Sequence, residues 1–250
     1  MKRGVAVLFL ITFVCSVSHS QITEYFSGER CYYYNAIYID SIGDTITNET
    51  LKILPTKRRW IFQPGKQRVV KYIYNTDTSQ YKNYLDPDDF FREKNKKYYT
   101  KKNKYRLKEV EKTGGYCNGE IFYMHPPRTN QYRMLFYSVH PFFALRALNK
   151  KHDEFEGRSL NILGMGKFIH NFIVDSLGEK KIFNDKKVEI WQVYVESELE
   201  PATDYFDRNK WKYQSTFEAL FCEEYGFIEM NYKFKTGVKI AFKLKNIEEL

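Results

Sequence analysis

The sequence predicts a mostly β chain, an antiparallel sheet that is open or barrel-like, with one short helical or basic arm near residues 86–113. Three observations lead there. The C-terminal stretch alternates apolar and polar residues with period two, aromatic residues make up 18% of the chain through 21 Tyr, 20 Phe and 3 Trp, and helix signals are sparse. Aromatic side chains favour strands and supply large buried areas. No Gly/Ser or Pro-rich linker and no repeated segment divides the chain.

Taken in order, Met1-Lys2-Arg3, the apolar run Gly4 to Val17 and the small residues Ser18 and Ser20 read as a secretory signal. Cleavage is expected after Ser20, leaving Gln21 first. The apolar run is shorter than the roughly 20 residues a membrane helix needs. A lipoprotein anchor at Cys15 is the competing reading, disfavoured by Phe13 and Val14 where small residues are usual. Residues 1–20 are thus a signal peptide and residues 21–250 a single β-rich domain, with 21–119 as a candidate N-terminal subdomain. The expected location is periplasm, outer-membrane periphery or extracellular space. Removing Lys2 and Arg3 lowers the formal charge from +9 to +7, so the exported protein stays basic. That suits an anionic envelope surface and is no evidence of nucleic-acid binding.

Strands are expected at 30–39, 59–62, 68–75, 120–124, 132–139, 159–163 and 167–175. The segment Val188 to Glu196 carries Trp191, Val193 and Val195 on one face and Ile190 and Tyr194 on the other, which predicts a strand covered on both sides. In GFIEMNYKFKTGVKIAFKL, Ile228, Met230, Tyr232 and Phe234, then Val238, Ile240, Phe242 and Leu244, alternate with polar residues. Strand side chains switch face at each residue, and the short loop at Gly237 makes the two segments a hairpin. Further upstream lies Asp86-Pro87-Asp88-Asp89, a plausible helix start leading into the basic run Lys94 to Lys104. That run, with Tyr98, Tyr99 and Tyr105, reads as a solvated arm; the alternative is a polyanion or membrane grip. No RNA-reading platform motif accompanies it.

The stretch YMHPPR, Tyr123 to Arg128, is the most unusual. A residue before proline is pushed out of the α region and each proline fixes its own φ, so His125-Pro126-Pro127 is extended and stiff. The ladder of 120–124 should end there. His140-Pro141 repeats the device, and His170 in FIHNFIV reads as a satisfied, half-buried imidazole. Gly164-Met165-Gly166-Lys167 reads as a turn, and Asn48-Glu49-Thr50 matches a glycosylation acceptor. No GxSxG, HExxH or telling carboxylate pair is present. No catalytic residue, cofactor or metal site is therefore assigned. Residues for ligand or partner contact are His125, Arg128, His140, Trp191 and Tyr225. Glu223 and Glu224 are adjacent, and on a strand would point to opposite faces. Cys31, Cys117 and Cys222 allow one disulfide with three pairings.

IFYMHPPR, the segment ending in Pro141-Phe142 and the closing FEALFCEEYGFIEMNYKFKTGVKIAFKL together resemble a family of uncharacterised secreted β-rich proteins of Bacteroidota-type bacteria. Its members carry an HPPR segment, a leucine-rich strand ending in Pro-Phe-Pro, a Gly-x-x-Trp segment and a final EYGF hairpin. The resemblance spans Glu120 to Leu244; here Phe143 replaces the second proline and Gly166 to Ile169 lacks the tryptophan. It implies an export-competent β-rich fold and brings no activity. Three functions are compatible with these readings. They are a noncatalytic module binding a lipid-like ligand or an envelope protein, a structural or assembly protein of the cell envelope, and an unrecognised hydrolase using His125 with Arg128 and Glu223 or Glu224.

Overall fold

A computed structural model describes residues 24–59, 67–74, 110–118, 120–128, 130–159, 165–182 and 185–250. The strands are β1 (Arg30–Ile39), β2 (Thr45–Arg59), β3 (Arg68–Ile73), β4 (Val110–Cys117), β5 (Ile121–Met124), β6 (Phe142–Ala144), β7 (His152–Arg158), β8 (Gly166–Ile182), β9 (Lys186–Pro201), β10 (Ser215–Cys222), β11 (Gly226–Phe234) and β12 (Lys239–Glu249). They form one sheet in the order β6-β5-β4-β3-β2-β1-β12-β11-β10-β9-β8-β7. Two meanders are thus joined where the first strand pairs antiparallel with the last, Ala36 opposite Phe242. The described strands of the segment 21–119, β1 to β4, are part of this sheet. The expected hairpin is β11–β12, and the strands expected at 30–39, 68–75, 120–124, 167–175 and 188–196 fall on β1, β3, β5, β8 and β9. The signal segment, the basic run Lys94 to Lys104, Trp60 to Phe62 and residues 160–163 lie outside the described residues; of the predicted arm, only 110–113 is described, as part of β4.

Alternation gives the sheet one packed face. Tyr32, Tyr34, Ala36 and Tyr38 of β1 lie in register with Leu244, Phe242 and Ile240 of β12 and with Ile53, Leu51, Glu49 and Thr47 of β2, and all are buried. The predicted strand at 132–139 is instead a 3-10 helix, Asn130–Tyr137. With three residues per turn, Tyr132 and Leu135 fall on one side, and both are fully buried. Tyr132 meets Phe242 and Tyr74 and donates its hydroxyl proton to the buried Glu49 at 2.8 Å. This segment fills the trough that the sheet makes, which explains its density of apolar residues without a strand partner. A short α-helix, α1 (Asp204–Asn209), and Tyr213 behind it close a second small cluster with Met165, Phe168 and Leu199.

The sheet is not closed, and its two ends overlap. On β5 and β6, Phe122 and Phe143 point into the core, where Phe143 stacks on Phe221 at 3.9 Å. Their neighbours of opposite parity point the other way: Phe142 meets Phe155 of β7 and Phe172 of β8 at 5.9 and 5.6 Å. The β5–β6 end is therefore tucked inside the β7–β8 end. The outer edge strand β7 is guarded as edges commonly are, by charge and cover. Its inward Asp153 is held by Arg146 and Lys150, both at 2.9 Å.

Gly166 opens β8 at φ +132, and a Cβ there would lie 2.0 Å from the Glu200 carbonyl oxygen. Gly166→Ala is expected to lower unfolding free energy by at least about 2 kcal/mol, from backbone strain together with the displaced β9. Urea unfolding of the purified variant checks this; an unchanged midpoint would show that β8 starts differently.

Candidate functional site

The overlap encloses a cavity of about 600 Å3. Parity explains its lining. Tyr123 and His125 share one face of β5 and its extension, and His140 and Phe142 share the same face of the neighbouring segment. Opposite them stand Phe155 and Gly157 of β7 and His170 and Phe172 of β8, the inward side of the other end. Both histidines precede prolines, so both backbones are extended there. The Met124 amide donates to the Pro141 carbonyl at 3.1 Å and the His125 amide to the Gly114 carbonyl at 3.0 Å. The ladder of β5 ends at Met124, and the two prolines beyond His125 have no amide to extend it. The two His-Pro segments thus lie side by side, with the imidazole centroids 4.6 Å apart.

Tyr123 links the rings. Its hydroxyl lies 2.7 Å from His140 Nδ1 and at 3.1 and 3.2 Å from the two nitrogens of His125. Burial, and the adjacent Arg128 charge, push the His125 pKa down to about 3. His140 is held well below the ordinary value by burial, then by His125 and Arg128. Burial alone takes His170 to about 4, and its Nδ1 is 2.8 Å from the Ser197 hydroxyl. Three imidazoles are therefore neutral at pH 7, and the Tyr123 phenol, raised by burial, keeps its proton. Arg128 lines the cavity, donates from Nη2 to Thr113 Oγ1 at 3.0 Å, and its backbone amide donates to the Glu111 carboxylate at 2.9 Å.

Opposite His170 in the β7–β8 register is Gly157. A Cβ there would come within 3.0 Å of the Phe172 ring, so glycine keeps that wall thin. At the rim, Glu156 and Arg158 pair at 2.7 Å and cancel each other's charge.

Of the residues singled out from sequence, the structure brings His125, Arg128 and His140 together. It adds Tyr123 and His170. Trp191 and Tyr225 are not among the residues lining the cavity: Trp191 is core, packed on Phe143, and Tyr225 sits in the β10–β11 turn beside Lys186. Glu223 and Glu224 lie in that same turn, where Glu224 pairs with Lys186. The grouping of His125 with those acids is therefore not formed. Cys31, Cys117 and Cys222 are all free thiols, so the single disulfide allowed by sequence is absent. They sit on β1, β4 and β10, and Cys31 faces the Ile53 carbonyl at 3.6 Å rather than another sulfur. Among the described residues, no three His, Cys, Asp or Glu side chains converge as metal ligands, and no helix is long and apolar enough to cross a membrane.

Fold and site together define an open antiparallel sheet, rolled so that its ends enclose a mixed polar and aromatic cavity. No protein-family model matches the chain, and no curated protein matches it. Solved structures similar to it include two from related bacteria. One is a candidate lipoprotein of Parabacteroides distasonis, 9% identical, TM-score 0.42, covering 89% of this chain and 96% of its own. The other is a candidate exported protein of Bacteroides fragilis with a YmcC-like fold, 9% identical, TM-score 0.40, covering 89% and 97%.

Proposed function

We propose that the protein is an exported, noncatalytic β-sheet module that binds a small amphipathic molecule in the overlap cavity. The single observation that carries the reading is the cavity's two-sided lining. Phe142, Phe155, Phe172 and Val139 form an apolar wall, and Tyr123, His125, His140, His170 and Arg128 supply hydrogen-bonding groups. A largely preformed cavity of a few hundred Å3, apolar with a few convergent polar groups, is the usual form of a small-molecule site. The aromatic core of the trough is a different matter. Tyr34, Phe122, Tyr132 and Phe217 are fully buried there against one another and their neighbours, so the ligand belongs to the overlap and not to a lipid-filled lumen. Export rests on the basic, apolar and small-residue segments of residues 1–20.

Native mass spectrometry of the protein recovered from its host without denaturant tests both halves. The expected result is a polypeptide starting at Gln21 that carries a small-molecule adduct, lost when Gly157→Val narrows the cavity. An adduct that survives that change would place the ligand elsewhere. A clean mass from several preparations would remove the binding reading.

A further inference from the structure

We infer that the cavity selects an uncharged organic alcohol, its apolar body held between Phe142, Phe155 and Phe172 and its hydroxyl bridging the imidazoles of His125 and His140. The inference deepens the binding reading above and rests on it.

Protons decide the polar end. Burial keeps both rings neutral at pH 7, and a neutral imidazole has one N–H and one acceptor nitrogen. Among the described residues, both rings hydrogen-bond to the Tyr123 hydroxyl and to no other group. That hydroxyl has one proton to give, so two arrangements satisfy the contacts. If Tyr123 donates to His140 Nδ1, the His140 proton is on Nε2, and His125 donates its N–H to the phenol oxygen and keeps a bare nitrogen. If His140 Nδ1 donates to the phenol oxygen, Tyr123 donates to His125; the spare N–H is then on His125 and the bare nitrogen is His140 Nε2. Both arrangements leave the pair with one N–H that lacks an acceptor and one nitrogen that lacks a donor, on different rings. His125 is only 5% exposed, and buried polar atoms in folded proteins are matched as a rule.

A hydroxyl accepts from the first and donates to the second, whichever arrangement holds. A carboxylate or an ether oxygen only accepts, and sets a lone pair against the bare nitrogen. An ammonium only donates, and meets the N–H with its own. A primary amide has both roles, but divides them between two atoms.

Charge agrees with this. Both cations of the lining stand beside a carboxylate: Arg158 pairs with Glu156 at 2.7 Å, and the Arg128 amide donates to the Glu111 carboxylate at 2.9 Å. The imidazoles add no charge, so the lining calls for no ion of either sign.

Isothermal titration calorimetry at pH 7.5 with five compounds of one apolar body tests this: 4-phenylbutan-1-ol, its methyl ether, 4-phenylbutyrate, 4-phenylbutanamide and 4-phenylbutylamine. The alcohol is expected to bind about tenfold or more tighter than each of the others. His140→Phe, which keeps a ring and removes both nitrogens, should bring the alcohol-to-ether ratio close to one. A folded variant that keeps the wild-type ratio overturns the inference; should the variant not fold, the order of the five compounds on the wild type decides by itself. Any of the four that binds as tightly as the alcohol overturns the inference while the binding reading stands. If none of the five binds, the inference falls, and the native mass spectrum decides the broader reading: an adduct retains it, and a clean mass removes it too.

Discussion

Truncating Phe122 to alanine is expected to cost about 3–5 kcal/mol of stability, the range for removing a fully buried phenylalanine. The ring has no exposure and touches four others, with centroids at 5.0 Å to Tyr25, 5.8 Å to Phe26, 5.6 Å to Phe221 and 5.7 Å to Phe227. Those rings come from the N-terminal turn, from β10 and from β11, so the lost contacts span both meanders and no single segment can collapse into the void. The effect should reach the site as well. Phe122 and Tyr123 are successive residues on opposite faces of a four-residue strand, and a loosened Phe122 frees β5 to move the phenol that joins His125 to His140. Urea unfolding measures the first effect. A loss below about 1 kcal/mol would mean that this end of the trough relaxes freely and that the packing there is not specific. Phe122→Leu, which keeps much of the volume, should cost markedly less.

The sequence shows those strands whose two faces differ in polarity. β11 and β12 alternate cleanly because one face packs on the core and the other meets water. β2 does not, since its inward residues include Thr47 and the buried Glu49, the latter accepting the Tyr132 proton inside the trough. A polar residue pointing inward erases the period that would mark the strand. β7 hides for a related reason: His152, Glu154, Glu156 and Arg158 guard an edge, and Phe155 is the one large apolar side chain left to show. Asn130–Tyr137 misleads in the opposite sense, because a segment buried on several sides is apolar without being a strand. The stiffness at His125-Pro126-Pro127 is a local property and is legible in sequence. That it lies beside His140-Pro141 follows from β5 pairing with β6, and that both face His170 depends on β1 pairing with β12 and on the sheet rolling over itself. The meeting of the two ends links residues far apart in the chain, and local patterns do not encode it.

Stability should fall steeply as pH drops from about 6.5 toward 4. The direction follows from the three cavity histidines, which are neutral in the fold and titrate near their ordinary value of about 6.5 once the chain unfolds. His125 has a folded pKa of about 3 and His170 of about 4, and His140 lies well below normal. A depressed folded pKa means that the unfolded chain binds the extra protons. The stability these rings permit is therefore complete above pH 6.5 and is lost progressively down to the folded values. Each forfeits up to about 1.4 kcal/mol per pH unit inside that window, so the three together set an upper slope of about 4 kcal/mol per unit. Tyr123, Arg128, Glu156 and Arg158 face the same cavity. Of these, Arg128 adds to the penalty by opposing protonation of His125 and His140. His152 works the other way, since Asp175 and Glu154 raise its pKa, but it is exposed and its part is small. Against a typical domain stability of about 5–15 kcal/mol, a loss with this upper slope is large enough to be read clearly in the unfolding midpoint. Chemical denaturation at half-unit steps from pH 7.5 to 4.5 reads the slope directly. His140→Asn and His170→Asn should each flatten it by up to a third. A flat wild-type profile would mean that the rings take up protons inside the fold, which requires water in the overlap and a partner for each new charge.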